Sequence, residues 1–305
     1  MKEKINMSSF NCESKNKYAI IDVGSNSVRL LLWKEGKSIV KEVQITRLAA
    51  GLQQNKILTV EAIERTVQAI SLFCHRAKEL AYHNIYIFAT EAVRSSQNNM
   101  QFIESVKMKT GYTVDILTGE EEAECGLLGC LQNKAGGIID IGGASTEIIV
   151  ADGKRKIYAK SLPIGAVRLY DSCKKDRMQL EACIKSQIAL YGDVPKAEFY
   201  AIGGTATALT ALVYQIVPYD SVKVHGKILM RATVQEWADK LLQLSYIESL
   251  ALVGMDKARA DVLPGAVFLL SSIMQMLQIE QITVSEQDNL EGYIFKFLLQ
   301  NKDNL

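Results

Sequence analysis

Ala19-Ile20-Ile21-Asp22-Val23-Gly24-Ser25 returns later in the chain as Gly137-Ile138-Ile139-Asp140-Ile141-Gly142-Gly143. Each copy is an apolar β-branched run, an aspartate and a glycine turn. The turns lead into Asn26-Ser27 in one copy and Ala144-Ser145 in the other. Apolar runs bounded by such turns read as buried strands. The residues after each turn, 28–33 and 146–150, stay apolar and strand-like. A strand hairpin is therefore expected at both places, not the strand-to-helix step of a dinucleotide fold. Glycine also permits φ > 0 and leaves room for an anion beside the backbone N–H groups.

The 305 residues are 48% apolar, enough for two domains with a core each. Net charge is +1 and no basic stripe is present, which argues against a duplex nucleic-acid surface. An anionic ligand must be gripped locally. None of the six cysteines forms a C-x-x-C pair and the three histidines are scattered, so a zinc site is not expected. The thiols read as reduced core filler. Lys2, Glu3 and Lys4 open the chain without an apolar h-region, and residues 1–17 are expected to fray. The longest apolar stretch, 262–277, contains Pro264 and Gln275 and reads as a buried helix, not a membrane span. A reducing cytoplasmic location is the expectation. No sequence feature marks an oligomer, and a homodimer is left open.

Val60, Ile63, Val67, Ile70, Ala77 and Leu80 recur at helical spacing within 59–82, with Thr59 as a cap and Glu61 and Glu64 in the first turn. Strands are expected at 85–89, 113–117, 199–202 and 282–284. Helices are expected after Thr90, from Thr118, from Gly203 to 213, and at 234–244, 264–277 and 291–299. This alternation gives mixed α/β layers.

Three loops and a few charged side chains carry the chemistry. Gly24, Ser25, Asn26 and Ser27 offer backbone and side-chain donors to a phosphate, although a plain hairpin turn uses the same residues. Asp140 ends a strand, where an acid can hold Mg²⁺, and Glu147 returns to the same place across the hairpin. Asp22 is the matching acid of the first copy. Gly203-Gly204-Thr205 opens a helix whose N–H groups favour an anion; a close strand–helix turn is the plainer account. Glu120-Glu121-Glu122 suit a first helical turn, and one of them is a candidate base for an attacking water. Arg94 and Arg259 are candidate phosphate clamps, whereas Arg29 and Arg168 fit salt bridges better.

Six blocks in order carry a family resemblance. They are residues 21–30, 89–94, 119–123, 140–147, 201–205 and 259–265, and the correspondence runs from about Tyr18 to Tyr293. The chain resembles the exopolyphosphatase / guanosine pentaphosphate phosphohydrolase family in its short, two-domain form. The resemblance implies an α/β fold of two ribonuclease-H-like, actin-like domains with an interdomain cleft. The expected division is 1–123 plus 288–305 for the first domain and 124–287 for the second. It further implies Glu122 as the catalytic base with Glu121 in reserve, Asp140 and Glu147 as Mg²⁺-associated acids, and Arg94 near the reacting phosphate. Gly24 to Ser27 and Gly142, Gly143, Ala144 and Ser145 become phosphate loops, and Arg259 a chain or nucleotide contact. The family has a third glycine where Ala144 stands, and the run 285–292 also departs from its usual form. An alanine methyl is expected to narrow the loop or to forbid φ > 0.

The reaction expected is Mg²⁺-dependent release of terminal orthophosphate from inorganic polyphosphate. The alternatives are the same chemistry on guanosine pentaphosphate, or a sensor that binds guanosine polyphosphates and turns them over weakly.

Overall fold

The computed structural model describes residues 17–50, 52, 56–153 and 155–299. Cys12 and the segment expected to fray lie outside the described residues, residue 17 apart. Two compact units divide the chain: residues up to 48 with 56–117, and residues 49–55 with those from 118 onward.

The sheet of the first unit contains β1 (Lys17–Val23), β2 (Ser27–Lys34), β3 (Lys37–Ile45), β4 (Asn84–Ala89) and β5 (Asp115–Ile116). Their order is β3-β2-β1-β4-β5. The first hairpin pairs Asp22 with Arg29 and Val23 with Val28, and β1 runs parallel to β4. Being central, β1 is apolar on both faces and almost wholly buried. Helix Val60–Glu79 lays Ile63, Val67, Ile70 and Phe73 into the core, and Thr59 Oγ1 caps it by accepting from Ala62 N at 3.2 Å. Val60 and Leu80, expected on the apolar stripe, lie at its ends and are exposed. The strand expected at 113–117 shortens to two residues.

The sheet of the second unit contains β6 (Gly136–Ile141), β7 (Thr146–Asp152), β8 (Arg155–Leu162), β9 (Phe199–Ile202), β10 (Ile228–Met230) and β11 (Gln281–Val284). Its order, β8-β7-β6-β9-β11-β10, repeats that of the first sheet and adds one antiparallel edge strand. The second hairpin pairs Asp140 with Glu147. Helices Ala166–Cys173, Gly203–Val213, Arg231–Gln243 and Leu263–Met276 cover this sheet around a core that includes Leu209, Leu241 and Leu270.

Helix Gly119–Leu131 and the closing helix Asn289–Tyr293 belong to the second unit. They touch backbone to backbone: a Cβ on Gly292 would meet the Cys125 carbonyl, and one on Gly129 the Asp288 carbonyl. The sequence reading had assigned 118–123 and 288–305 to the first domain. The expected helix at 291–299 begins earlier and ends as a π-helical turn, Ile294–Leu299. Five cysteines, Cys74, Cys125, Cys130, Cys173 and Cys183, are free thiols. Among the described residues no helix is long and apolar enough to cross a membrane.

Within each unit the central strands run parallel, so their C-terminal ends meet at one sheet edge. In the first unit that edge holds the Gly24 turn, Thr90 and Leu117. In the second it holds the Gly142 turn, Gly203 and Ser285. The carboxyl edge of parallel strands is where open α/β sheets bind ligands.

Candidate active site

The two glycine turns have the same geometry. Gly24 N donates to Ser27 O at 3.0 Å, and Gly142 N donates to Ser145 O at 3.0 Å. A Cβ on Gly24 would stand 3.2 Å from Ser27 O, and one on Gly142 would stand 3.3 Å from Ser145 O. Neither glycine has positive φ. The expectation of a left-handed backbone is thus corrected: these glycines are needed for close approach of the backbone. Ala144 also avoids positive φ, and its methyl is 1% exposed. The residue is buried without positive φ, so the left-handed strain expected of an alanine there does not arise.

In the first unit, Asp22 Oδ2 accepts from Arg29 Nε at 2.9 Å and from Arg29 Nη2. The Arg29 guanidinium therefore sets a positive charge against Oδ2 of this carboxylate, the acid expected to match Asp140. Beside it, the Asn26 carbonyl accepts from Thr46 N (3.0 Å) and Arg47 N (2.9 Å). Both polar atoms of the buried Asn26 amide, and the Thr46 hydroxyl, have no partner among the described residues. Buried groups of this kind take water or ligand. Arg94 sits at the same edge, donating from Nη1 to Leu117 O at 2.5 Å and from Nη2 to Glu91 Oε2 at 2.8 Å. Its guanidinium is therefore oriented by its own unit.

The second unit separates the three glutamates by role. Exposed Glu120 accepts from Lys156 Nζ at 2.7 Å, which holds its carboxyl below the usual range. Glu121 closes a capping box: its Oε2 accepts from Thr118 N (2.8 Å) and Thr118 Oγ1 (2.9 Å), and Thr118 Oγ1 accepts from Glu121 N. The Thr118 N–H holds the Glu121 carboxyl low. Glu122 is 8% exposed and close enough for its charge to act on Glu147. Buried Glu147 is pushed well above the ordinary carboxylate range, first by burial, then by the charges of Glu122 and Asp140. Ser161 Oγ donates to it at 2.5 Å, and Ser145 adds a second hydroxyl. Among the described residues no three acid, His or Cys side chains form a ready-made metal cage. Asp140 and Glu147 supply two hard oxygen donors, which fits a Mg²⁺ that keeps waters and substrate oxygens.

Gly203 is left-handed (φ +79°), and a Cβ there would lie 2.5 Å from Asp140 Oδ1. A Cβ on Gly204 would lie 2.5 Å from Arg259 Cζ. Thr205 Oγ1 donates to Ile141 O at 3.0 Å and ties this helix to the end of β6. The third loop thus brings Asp140 and Arg259 onto one helical turn.

Residues 32–301 match the Ppx/GppA phosphatase family. The chain belongs to the Ppx/GppA phosphatase family. A guanosine-5'-triphosphate,3'-diphosphate pyrophosphatase of Vibrio parahaemolyticus is 29% identical over 307 residues, covering 94% of this chain and 60% of that protein. The chain thus spans about 60% of the length of such curated relatives. The Aquifex aeolicus Ppx/GppA phosphatase, in its type II crystal variant, matches with TM-score 0.73 at 28% identity over 93% of this chain and 100% of that one. An exopolyphosphatase from Cytophaga hutchinsonii matches in fold, with TM-score 0.82 at 23% identity over 92% and 97%. The two duplicated sheets are the actin-like fold of the Ppx/GppA phosphatases.

Sequence reasoning missed what shapes the second glycine loop of this Ppx/GppA chain. Helix Ala166–Cys173 points its first N–H groups at that loop: Ala166 N donates to Gly142 O (2.9 Å) and Val167 N to Gly143 O (2.8 Å). In a trans peptide the N–H points opposite to the C=O. The N–H groups of Gly143 and Ala144 are therefore turned away from that helix. Gly165 makes this possible. Its backbone is extended (φ −162°), open to any residue, but a Cβ would lie 2.7 Å from Gly142 O and Gly143 O. The Ile164-Gly165-Ala166 step was the available signal.

Proposed function

We propose that this protein hydrolyses the terminal phosphoanhydride of guanosine pentaphosphate, with inorganic polyphosphate as the competing substrate. The observation that carries the reading is the division among the three glutamates. Glu120 is bound to Lys156 and Glu121 to its cap, while Glu122 is buried near Asp140 and Glu147. The guanosine substrate is favoured because the 29% identical relative bears the name of that activity.

In this reading Glu122 orients a water and takes its proton as the water oxygen attacks the terminal phosphorus. The bond to the bridging oxygen breaks, and the shortened chain leaves with that oxygen. The N–H groups of Gly143 and Ala144 and the Arg259 guanidinium receive phosphate oxygens, which is the positioning and charge stabilisation phosphoryl transfer needs. Asp140 and Glu147 would hold Mg²⁺, which when bound supplies positive charge against the phosphoryl oxygens.

Phosphate release from guanosine pentaphosphate and from long-chain polyphosphate, measured in parallel with Mg²⁺, tests the reading. A higher kcat/KM for the guanosine substrate is expected. A higher value for polyphosphate would reverse the substrate order, and no release from either would remove the hydrolase reading.

A further inference from the structure

The helix Gly203–Val213 works as a ruler along one edge of the second unit. The Asp140 carboxylate lies over Gly203 and the Arg259 guanidinium over Gly204. Asp256 Oδ2 fixes that guanidinium, accepting from Nε at 3.2 Å. Thr207 follows about 6 Å further along the axis, at about 1.5 Å per residue. Its side chain hydrogen-bonds to Tyr219, and the Tyr219 hydroxyl donates to the Glu286 carboxylate.

Chain topology puts Glu286 there. β9 and β11 are parallel neighbours, so the loops that leave them lie side by side. Ser285 N donates to Ala201 O at 2.9 Å, and Glu286 N donates to His225 Nδ1 at 3.2 Å. The Glu286 backbone is therefore held in place. Tyr219 is 53% exposed although its hydroxyl is engaged. The phosphate chemistry uses neither residue.

We propose that Tyr219 and Glu286 form the base subsite for a guanine nucleotide whose phosphate chain runs past Arg259 to Asp140. This inference rests on the phosphatase reading above and adds the part of the substrate that is not phosphate. An exposed, tethered aromatic ring stacks on a purine. An ionised carboxylate is acceptor-only. It matches adjacent N–H donors, which guanine offers at N1 and N2. Adenine places an acceptor at N1, and inorganic polyphosphate has no base at all.

The test is binding, which separates it from turnover. Affinities of GTP, ATP and inorganic tripolyphosphate are measured by calorimetry for the wild type, Y219A, Y219F and E286Q. The wild type is expected to bind GTP about tenfold or more tighter than both other ligands. Y219A removes the advantage of GTP over tripolyphosphate, and Y219F keeps most of it. E286Q removes the preference for GTP over ATP. Equal wild-type affinity for GTP and tripolyphosphate would overturn the inference, as would variants that keep both preferences. Nucleotide binding with these preferences but without phosphate release would sink the hydrolase reading and leave the base subsite standing.

Discussion

Glu147 faces Asp140 across the β6–β7 ladder, whereas the same rung of the first hairpin pairs Asp22 with Arg29. One fold element was used twice, and a single position decides its charge. In the first unit the rung is neutralised internally. In the second, buried Glu147 faces half-buried Asp140, and this pair of carboxylates would suit a cation. This asymmetry favours the second copy as the proposed Mg²⁺ site.

Without metal, the two acids repel each other. D140N and E147Q are therefore expected to raise the melting temperature in chelator-treated protein. Millimolar Mg²⁺ should raise it in the wild type and not in either variant, since a ligand bound only by the folded state stabilises it by mass action. Scanning calorimetry with and without Mg²⁺ checks this. An equal Mg²⁺ response in all three proteins would mean that the cation binds elsewhere.

Removing the guanidinium from the first rung leaves a buried carboxylate. R29A is expected to destabilise the protein by about 3 kcal/mol, the scale for breaking a buried pair. D22N/R29M is expected to recover much of that loss. Urea unfolding measures both. A loss below ~1 kcal/mol for R29A would mean that the pair is too well solvated to matter.

Gly165 touches no substrate in this account; it lets the 166–173 helix hold the second phosphate loop. G165A is expected to lower kcat/KM about tenfold to a hundredfold, because small misplacements of phosphate-binding groups are costly. The melting temperature should fall by only a few degrees. G254A is the structural control: its φ is +86° and its Cβ would strike the Ala211 carbonyl. It should lose stability at least as strongly while keeping a larger share of kcat.

The paired hairpins, the Thr59 and Thr118 caps, strand β9 and the order of the glycine loops were all legible in the sequence, because each rests on local pattern or local hydrogen bonding. The exposed edge strand β3 and strand β8 carry no apolar alternation that would announce them. Helix Ala166–Cys173 was missed because the glycine before it is required by a neighbour distant in sequence. The resemblance already ranks Glu122 ahead of Glu121, and the Thr118-x-x-Glu121 spacing carries the capping-box signature that occupies Glu121 in the structure.

That capping box gives a pH signature. The folded state holds the Glu121 carboxyl below its ordinary value, so its contribution is present above the unfolded range of about pH 4.3 and is lost as pH falls through the depressed folded value. T118A is expected to cost about 1 kcal/mol at pH 7. E121Q should melt below the wild type at pH 7, and the gap should narrow as pH falls below the ordinary carboxylate range. A gap that stays constant with pH would show that the ionised carboxylate is not what caps the helix.

The assignment of Glu122 is tested most directly by steady-state phosphate release from guanosine pentaphosphate with E122Q and E121Q side by side. E122Q is expected to lose about a hundredfold or more in kcat, the scale of general-base catalysis, with its melting temperature maintained. E121Q should stay within about fivefold of the wild type and lose stability instead. Near-normal turnover in E122Q, or the larger kinetic loss in E121Q, would contradict the account.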